Sequence, residues 1–241
     1  ERGSSFFLSG GLVGVHAALK NRDSIWESLN NREVYATSGD RILLWFNYIS
    51  NNNDIYPMGS EVKSKLNPTF EVKVLGAFKQ NPGCAGNQEM NPDIARRISN
   101  LCKGECFNPS DERKLISRLE VVRIRPQIYP NEPVESLIQD PWKVIPCDDK
   151  GEGCTVKFQD LQFENGTREV IYYVRAIQEP SDAINAKGLG CELDREGNCL
   201  KTDICYGDYR GISKGDCLGE TEERAWSSPI FVSYESLVPQ P

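Results

Sequence analysis

The chain has 241 residues, nine cysteines, a single histidine and a formal net charge of −7 at pH 7. This length is enough for one large or two small domains with a buried core. An acidic surface repels phosphate backbones and anionic lipids, so nucleic acid is a poor partner and so is a charged membrane surface. No apolar run approaches the roughly 20 residues that a membrane-spanning helix needs, and we therefore expect no membrane span.

The first predicted elements are a helix and two short strands. Residues 21–31, NRDSIWESLNN, have a helix signature with Asn21 or Asp23 as the cap of the free amides. The following segment, EVYATSGDRILLWFNY, predicts two short strands joined by a Ser-Gly-Asp turn. A polar, asparagine-rich connector comes next, and we place the main domain boundary near residue 50.

The region after residue 50 is predicted to be β-rich. In TFEVKVLGAF, apolar and charged residues alternate as in a half-buried strand. Four later segments share its enrichment in β-branched and aromatic residues: LISRLEVVRIRP, CTVKFQDLQF, REVIYYVRAIQ and SPIFVSYESL. Strands separated by turn-rich loops indicate a mainly β, β-sandwich-like fold. The basic residues Arg118, Arg123 and Arg125 alternate along one of these strands, which favours a charged strand face.

The cysteines lie in loop-like sequence, next to Gly, Asn, Asp and Pro. Loop cysteines in this number indicate disulfides and an oxidising compartment, such as the bacterial periplasm or the extracellular space. Short turns favour Cys102–Cys106 and Cys147–Cys154. Four further cysteines lie in the carboxy-terminal third and are predicted to form disulfides without a defined pairing: Cys191, Cys199, Cys205 and Cys217. Zinc is the alternative, although structural zinc sites favour C-x2-C pairs that this chain lacks.

Few residues are candidates for a catalytic, metal-binding or substrate-binding role. A catalytic metal site usually needs several His and carboxylate ligands, so a chain with one histidine is not expected to hold such a site alone. His16 is a weak candidate for a catalytic residue, and a packed structural role is the alternative. Thr37, Ser38 and Arg41 follow a predicted strand, where ligands often bind, and arginine suits anions. The alternative there is a tight turn that satisfies its own amides.

Several motifs together resemble one family: SGGLVGV, REVYATSGDRI, YYVRAIQEP, CYGDYR and EERAWSSPI. They look like the carboxy-terminal part of a large bacterial family catalogued as a domain of unknown function. Its members carry an amino-terminal metal-dependent hydrolase domain of the PHP (polymerase and histidinol phosphatase) type and are similar to carbamate hydrolases. The family pattern commonly has tryptophan at the position of His16. The resemblance implies that residues 1–50 are the last α/β unit of the PHP-like barrel and that 51–241 form a disulfide-rich β-sandwich accessory domain.

The resemblance also implies a function. We expect the carboxy-terminal accessory region of an exported hydrolase of esters, carbamates or phosphoesters, inactive alone and without a cofactor of its own. Zn²⁺ or Mn²⁺ is expected in a preceding domain, which would be the partner of this chain, with a small molecule as substrate. The alternative is a self-sufficient, disulfide-stapled binding module whose recognition surface is the loop from Cys191 to Cys217.

Overall fold

The computed structural model describes residues 10–81, 91–96, 107–163, 168–184, 191–202 and 218–234. One helix, α1, spans Arg22–Asn30, and residues 92–96 are also helical. The described strands are, in chain order, β1 (Leu12–Val15), β2 (Val34–Thr37), β3 (Leu43–Ile49), β4 (Ile55–Pro57), β5 (Glu61–Ser64), β6 (Thr69–Leu75), β7 (Phe78–Gln80), β8 (Pro109–Arg113), β9 (Ile116–Ile124), β10 (Ile138–Pro146), β11 (Cys154–Gln159), β12 (Val170–Gln178), β13 (Ser181–Ile184), β14 (Cys191–Leu193), β15 (Cys199–Thr202), β16 (Leu218–Thr221), β17 (Arg224–Ser227) and β18 (Ile230–Tyr234).

The chain divides into two compact units. The larger unit comprises Gly11–Ala77, Leu115–Gln178 and Arg224–Pro241. The smaller one comprises Glu1–Gly10, Phe78–Lys114 and Glu179–Glu223, and its described strands form the two-stranded pairs β7–β8, β13–β16 and β14–β15. This division differs from the predicted boundary near residue 50, because strands from both sides of that residue pair with one another.

The first sheet of the larger unit is organised around β12. One edge of β12 pairs with β9, which continues to β10. The other edge is shared by β17 and β18. From β17 the sheet continues to β2 and then β1, whereas β18 pairs in parallel with β5. Strands from early and late parts of the chain therefore build one sheet.

The second sheet has the order β11-β6-β3-β4 and is antiparallel. Its alternate residues, among them Leu44, Phe46 and Val72, are fully buried and belong to the same core cluster as Tyr172 of β12. The ring centroids of Phe70 and Tyr172 are 4.6 Å apart. The two sheets thus pack face to face around an aromatic core, and the prediction of a mainly β fold is confirmed.

The early elements are present as predicted, but they pair differently. Asn21 caps α1, because its Oδ1 accepts a hydrogen bond of 2.9 Å from the Ser24 amide. β2 and β3 flank the Ser-Gly-Asp turn, yet they do not pair with each other: β2 belongs to the first sheet and β3 to the second. The turn is therefore a crossover between sheets. A preceding PHP-like barrel unit stays a prediction. Within the described residues, no helix is long and apolar enough to cross a membrane.

Candidate functional site

The predicted substrate-binding turn lies at the end of β2 and is held by backbone contacts. Thr37 is buried, and its Oγ1 accepts a hydrogen bond of 3.4 Å from the Gly39 amide. Ser38 accepts a 2.8 Å bond from the Arg224 amide through Oγ, while its own amide donates to the Arg224 carbonyl at 3.0 Å. Ser38 therefore extends the pairing of β2 with β17. Arg41 is exposed beside them.

A buried glutamine ties the same turn to the end of β12. Gln178 is fully buried, and its Nε2 donates to Asp40 Oδ2 at 2.6 Å while its Oε1 accepts from the Ala77 amide at 2.7 Å. Since an unsatisfied buried amide is costly, these bonds fix the turn. The role of Thr37, Ser38 and Arg41 in substrate binding stays a prediction.

His16 is packed against aromatic rings. Its Nε2 lies 2.8 Å from the Leu44 carbonyl oxygen, so the tautomer protonated on Nε2 donates a hydrogen bond there. The ring lies 5.4 Å from Tyr35 and 5.6 Å from Trp45, centroid to centroid. A packed structural histidine accounts for these contacts. Within the described ranges, no three side chains of His, Cys, Asp and Glu are grouped so that they could hold a metal ion.

The disulfide prediction is confirmed for one pair. Cys147 is bonded to Cys154 and joins the residue after β10 to the start of β11. The other predicted cysteines have side chains outside the described part of the structure: Cys102, Cys106, Cys191, Cys199, Cys205 and Cys217. Most of the predicted recognition loop, residues 203–217, also lies outside it.

A second site, which the sequence did not predict, contains a buried ion pair. Arg123 is 3% exposed and Asp160 is 1% exposed. Arg123 Nη1 donates to Asp160 Oδ2 at 2.7 Å, and the guanidinium lies 4.5 Å from the centre of the Trp142 ring. Asp160 Oδ2 also accepts the Tyr172 hydroxyl at 2.7 Å. Burial, and then the Asp160 charge, raises the pKa of Tyr172, so this hydroxyl remains a donor.

The remaining donors of Arg123 are also satisfied. Its Nε donates to Gln139 Oε1 at 2.7 Å and its Nη2 donates to Gln162 Oε1 at 2.9 Å. Gln139 pairs with Arg123 across β9 and β10, and Gln162 lies in the turn after β11 of the second sheet. The arginine therefore points inward, between the sheets. The alternation of basic residues predicts a charged strand face without saying which side of β9 is buried, and the structure places Arg123 on the buried side.

A cavity of about 390 Å³ opens beside this ion pair, where β9 ends and β12 begins. Arg125 and Arg168 line it together with Arg123. Arg168 Nη2 donates to Glu132 Oε1 at 2.8 Å, and this hydrogen bond is the main reason that the pKa of Glu132 is lowered. Arg125 follows β9 by one residue and donates through Nη2 to the Ser136 carbonyl. The result is a cationic cavity in an acidic protein.

Comparison with known proteins finds a family match over the amino-terminal part of the chain. Residues 2–72 match a family described as "Protein of unknown function (DUF3604)". No curated protein and no solved structure matches the chain. The matched residues include β1, α1, β2 and β3, so the family region contributes strands to both sheets of the larger unit.

Proposed function

We propose that this chain is the accessory region of an exported, metal-dependent hydrolase of the PHP-like type, acting on an ester, a carbamate or a phosphoester. A preceding domain would hold the Zn²⁺ or Mn²⁺ and would pack against β1 and α1. The observation that carries this proposal is the exposed apolar surface of those two elements. The family match over 2–72 and the Cys147–Cys154 disulfide, a bond typical of oxidising compartments, also support it.

The helix α1 carries large apolar side chains on a surface open to water. Trp26 is 64% exposed, and Leu29, near the end of the helix, is 45% exposed. We define the apolar patch as the exposed large hydrophobic residues of β1, α1 and the loop between them: Leu12, Val13, Leu19, Ile25, Trp26 and Leu29. Successive strand residues point to opposite faces, so Leu12 and Val13 lie on different sides of β1. Ile25, Trp26 and Leu29 are neighbours at i,i+3 and i,i+4 of α1, and such a contiguous apolar helix surface indicates that another element covers it.

The strand β1 is also a sheet edge. In the described part of the first sheet it pairs with β2 alone and is the edge strand. Its sequence, LVGV, has no charge or proline of the kind that normally protects an edge. An apolar edge strand beside an apolar helix is suited to packing by a preceding domain. It is poorly suited to a module that works by itself in water.

A matched pair of leucine substitutions tests this packing. Leu29→Lys places a charge on the patch, and Leu66→Lys places one on a leucine of similar exposure, 49%, outside it. In the isolated chain both changes should alter the free energy of unfolding by about 0.5 kcal/mol or less. In the longer precursor, Leu29→Lys should cost about 2 kcal/mol or more, because the charge is buried without a partner.

Thermal and urea unfolding of both variants, in both forms of the protein, measure the difference. A cost confined to Leu29→Lys in the precursor is the expected result. Equal effects of the two substitutions in the precursor would mean that nothing covers the patch, and the proposal would fail.

A further inference from the structure

The three arginines of the cavity face only two carboxylates among the described residues that line it. Asp160 is paired with Arg123, and Glu132 is paired with Arg168. Arg125 forms no ion pair of its own with the described residues of this wall, although the charges of Asp160 and Glu132 also act on it. The described part of the cavity wall therefore carries one excess positive charge, in a chain whose net charge is −7.

The donors of Arg125 are not all used. Its Nε is buried and has no hydrogen-bond acceptor, and Arg175 Nε is the only other such buried side-chain atom in the described part of the chain. Burial, followed by the charges of Arg123 and Arg168, lowers the pKa of Arg125. An oxyanion near Arg125 would offset both the unmatched charge and part of the desolvation cost.

The rest of the described wall is mixed: Ser136 and Gln162 are polar, and four side chains are apolar. Leu137, Phe163 and Val170 line the cavity and are buried, and Ile128 lies at its exposed side. A volume of about 390 Å³ is within the range of small-molecule pockets. Such a cavity suits a ligand with a negative head and a short hydrocarbon body.

We propose that this cavity binds a small organic oxyanion, a carboxylate or a phosphate monoester with a short apolar body, whose negative group pairs with Arg125. The guanidinium fork matches either oxyanion by presenting more than one N–H donor. Arg168 contributes to the positive potential, and the apolar side chains contact the hydrocarbon. The inference is independent of the proposed hydrolase function, since it depends on contacts within the larger unit alone.

Isothermal titration calorimetry on the whole chain tests this site at constant ionic strength. The probes are butanoate and butyl phosphate, with butanol and butylammonium as neutral and cationic controls. Binding of either anion, at least tenfold tighter than butanol, is the expected result, and the stronger anion identifies the head group. If butanol and both anions bind equally well, or if neither anion binds, the proposal is overturned by the wild-type protein alone.

Two arginine variants then locate the site. Arg125→Met should weaken anion binding at least tenfold. Arg96→Met, at an exposed arginine that does not line the cavity, should change it less than twofold. Arg125→Lys keeps the charge and should give an anion affinity between those of the wild type and Arg125→Met. If Arg125→Met folds poorly, the reduced affinity of Arg125→Lys relative to the wild type serves as the test. Equal losses in Arg125→Met and Arg96→Met would mean non-specific attraction and would refute the site.

Discussion

Replacing Asp160 with alanine is the most severe test of how the larger unit is held together. The substitution leaves the Arg123 guanidinium, 3% exposed, without a counter-charge, and it leaves the Tyr172 hydroxyl without its acceptor. Removing one partner of a buried ion pair costs about 3–5 kcal/mol, and an unsatisfied buried hydroxyl adds about 1–3 kcal/mol. The surrounding side chains can relax and reduce this cost, so we expect Asp160→Ala to lower the free energy of unfolding by about 4–5 kcal/mol in total.

Urea unfolding with the disulfide intact measures the lost free energy of unfolding, and thermal unfolding measures the change in Tm. For a protein of this size 1 kcal/mol corresponds to roughly 2–4 °C in Tm, so the Tm of the variant should be about 10–15 °C lower. Asp93→Ala is the control, because Asp93 forms an exposed i,i+3 pair with Arg96 and should contribute less than about 1 kcal/mol.

A double variant separates the buried charge from simple loss of contacts. Arg123→Met combined with Asp160→Leu removes both charges and keeps apolar volume, so it should be clearly more stable than Asp160→Ala. The reasoning is refuted if Asp160→Ala costs no more than Asp93→Ala. It is also refuted if the double variant is less stable than Asp160→Ala alone.

Two further predictions concern the same unit. Tyr172→Phe should cost about 1.5–3 kcal/mol at neutral pH by removing a hydrogen bond to a charged group. Burial raises the pKa of Tyr172 in the folded protein, so this residue stabilises the fold fully below pH 10 and loses that contribution as Tyr172 of the unfolded chain ionises above pH 10. In urea titrations, the free energy of unfolding of the wild type should therefore fall more steeply between pH 10 and 11 than that of Tyr172→Phe. Parallel pH profiles of the two proteins would contradict this. Gly153→Ala should destabilise the protein by at least about 2 kcal/mol more than Gly151→Ala. Both glycines have a positive φ, but a Cβ at Gly153 would lie 2.2 Å from the Val74 carbonyl oxygen, whereas a Cβ at Gly151 would meet open space. Equal melting temperatures for the two alanine variants would show that the contact does not matter.

Local signals in the sequence were sufficient for the local structure. The Asn21 cap and α1 follow from side-chain chemistry within one helical turn. Pairing between strands was not predictable in the same way. The Ser-Gly-Asp segment has the composition of a hairpin turn, but β2 pairs with β17, whose residues lie far along the chain, because each strand buries its apolar face in a different sheet.

The sequence pattern was also insufficient to predict the arginine-lined cavity. Alternation places Arg123 of β9 and Arg125, one residue past its end, at positions two residues apart, but it does not say whether Arg123 points to solvent or inward. The answer depends on Asp160, which is 37 residues from Arg123 in sequence and neutralises it in the core. A buried cation needs a partner, and the partner came from a loop that the pattern of β9 does not reveal.

The measurement that tests the central claim most directly is hydrolysis. This chain should be assayed side by side with the longer, metal-binding protein that the proposal requires as precursor, with added Mn²⁺ or Zn²⁺, on ester, carbamate and phosphoester substrates. An accessory region without its own metal site predicts turnover by the precursor and none by this chain. Turnover by this chain alone, or no turnover by the precursor on any of the three substrate classes, would contradict the account.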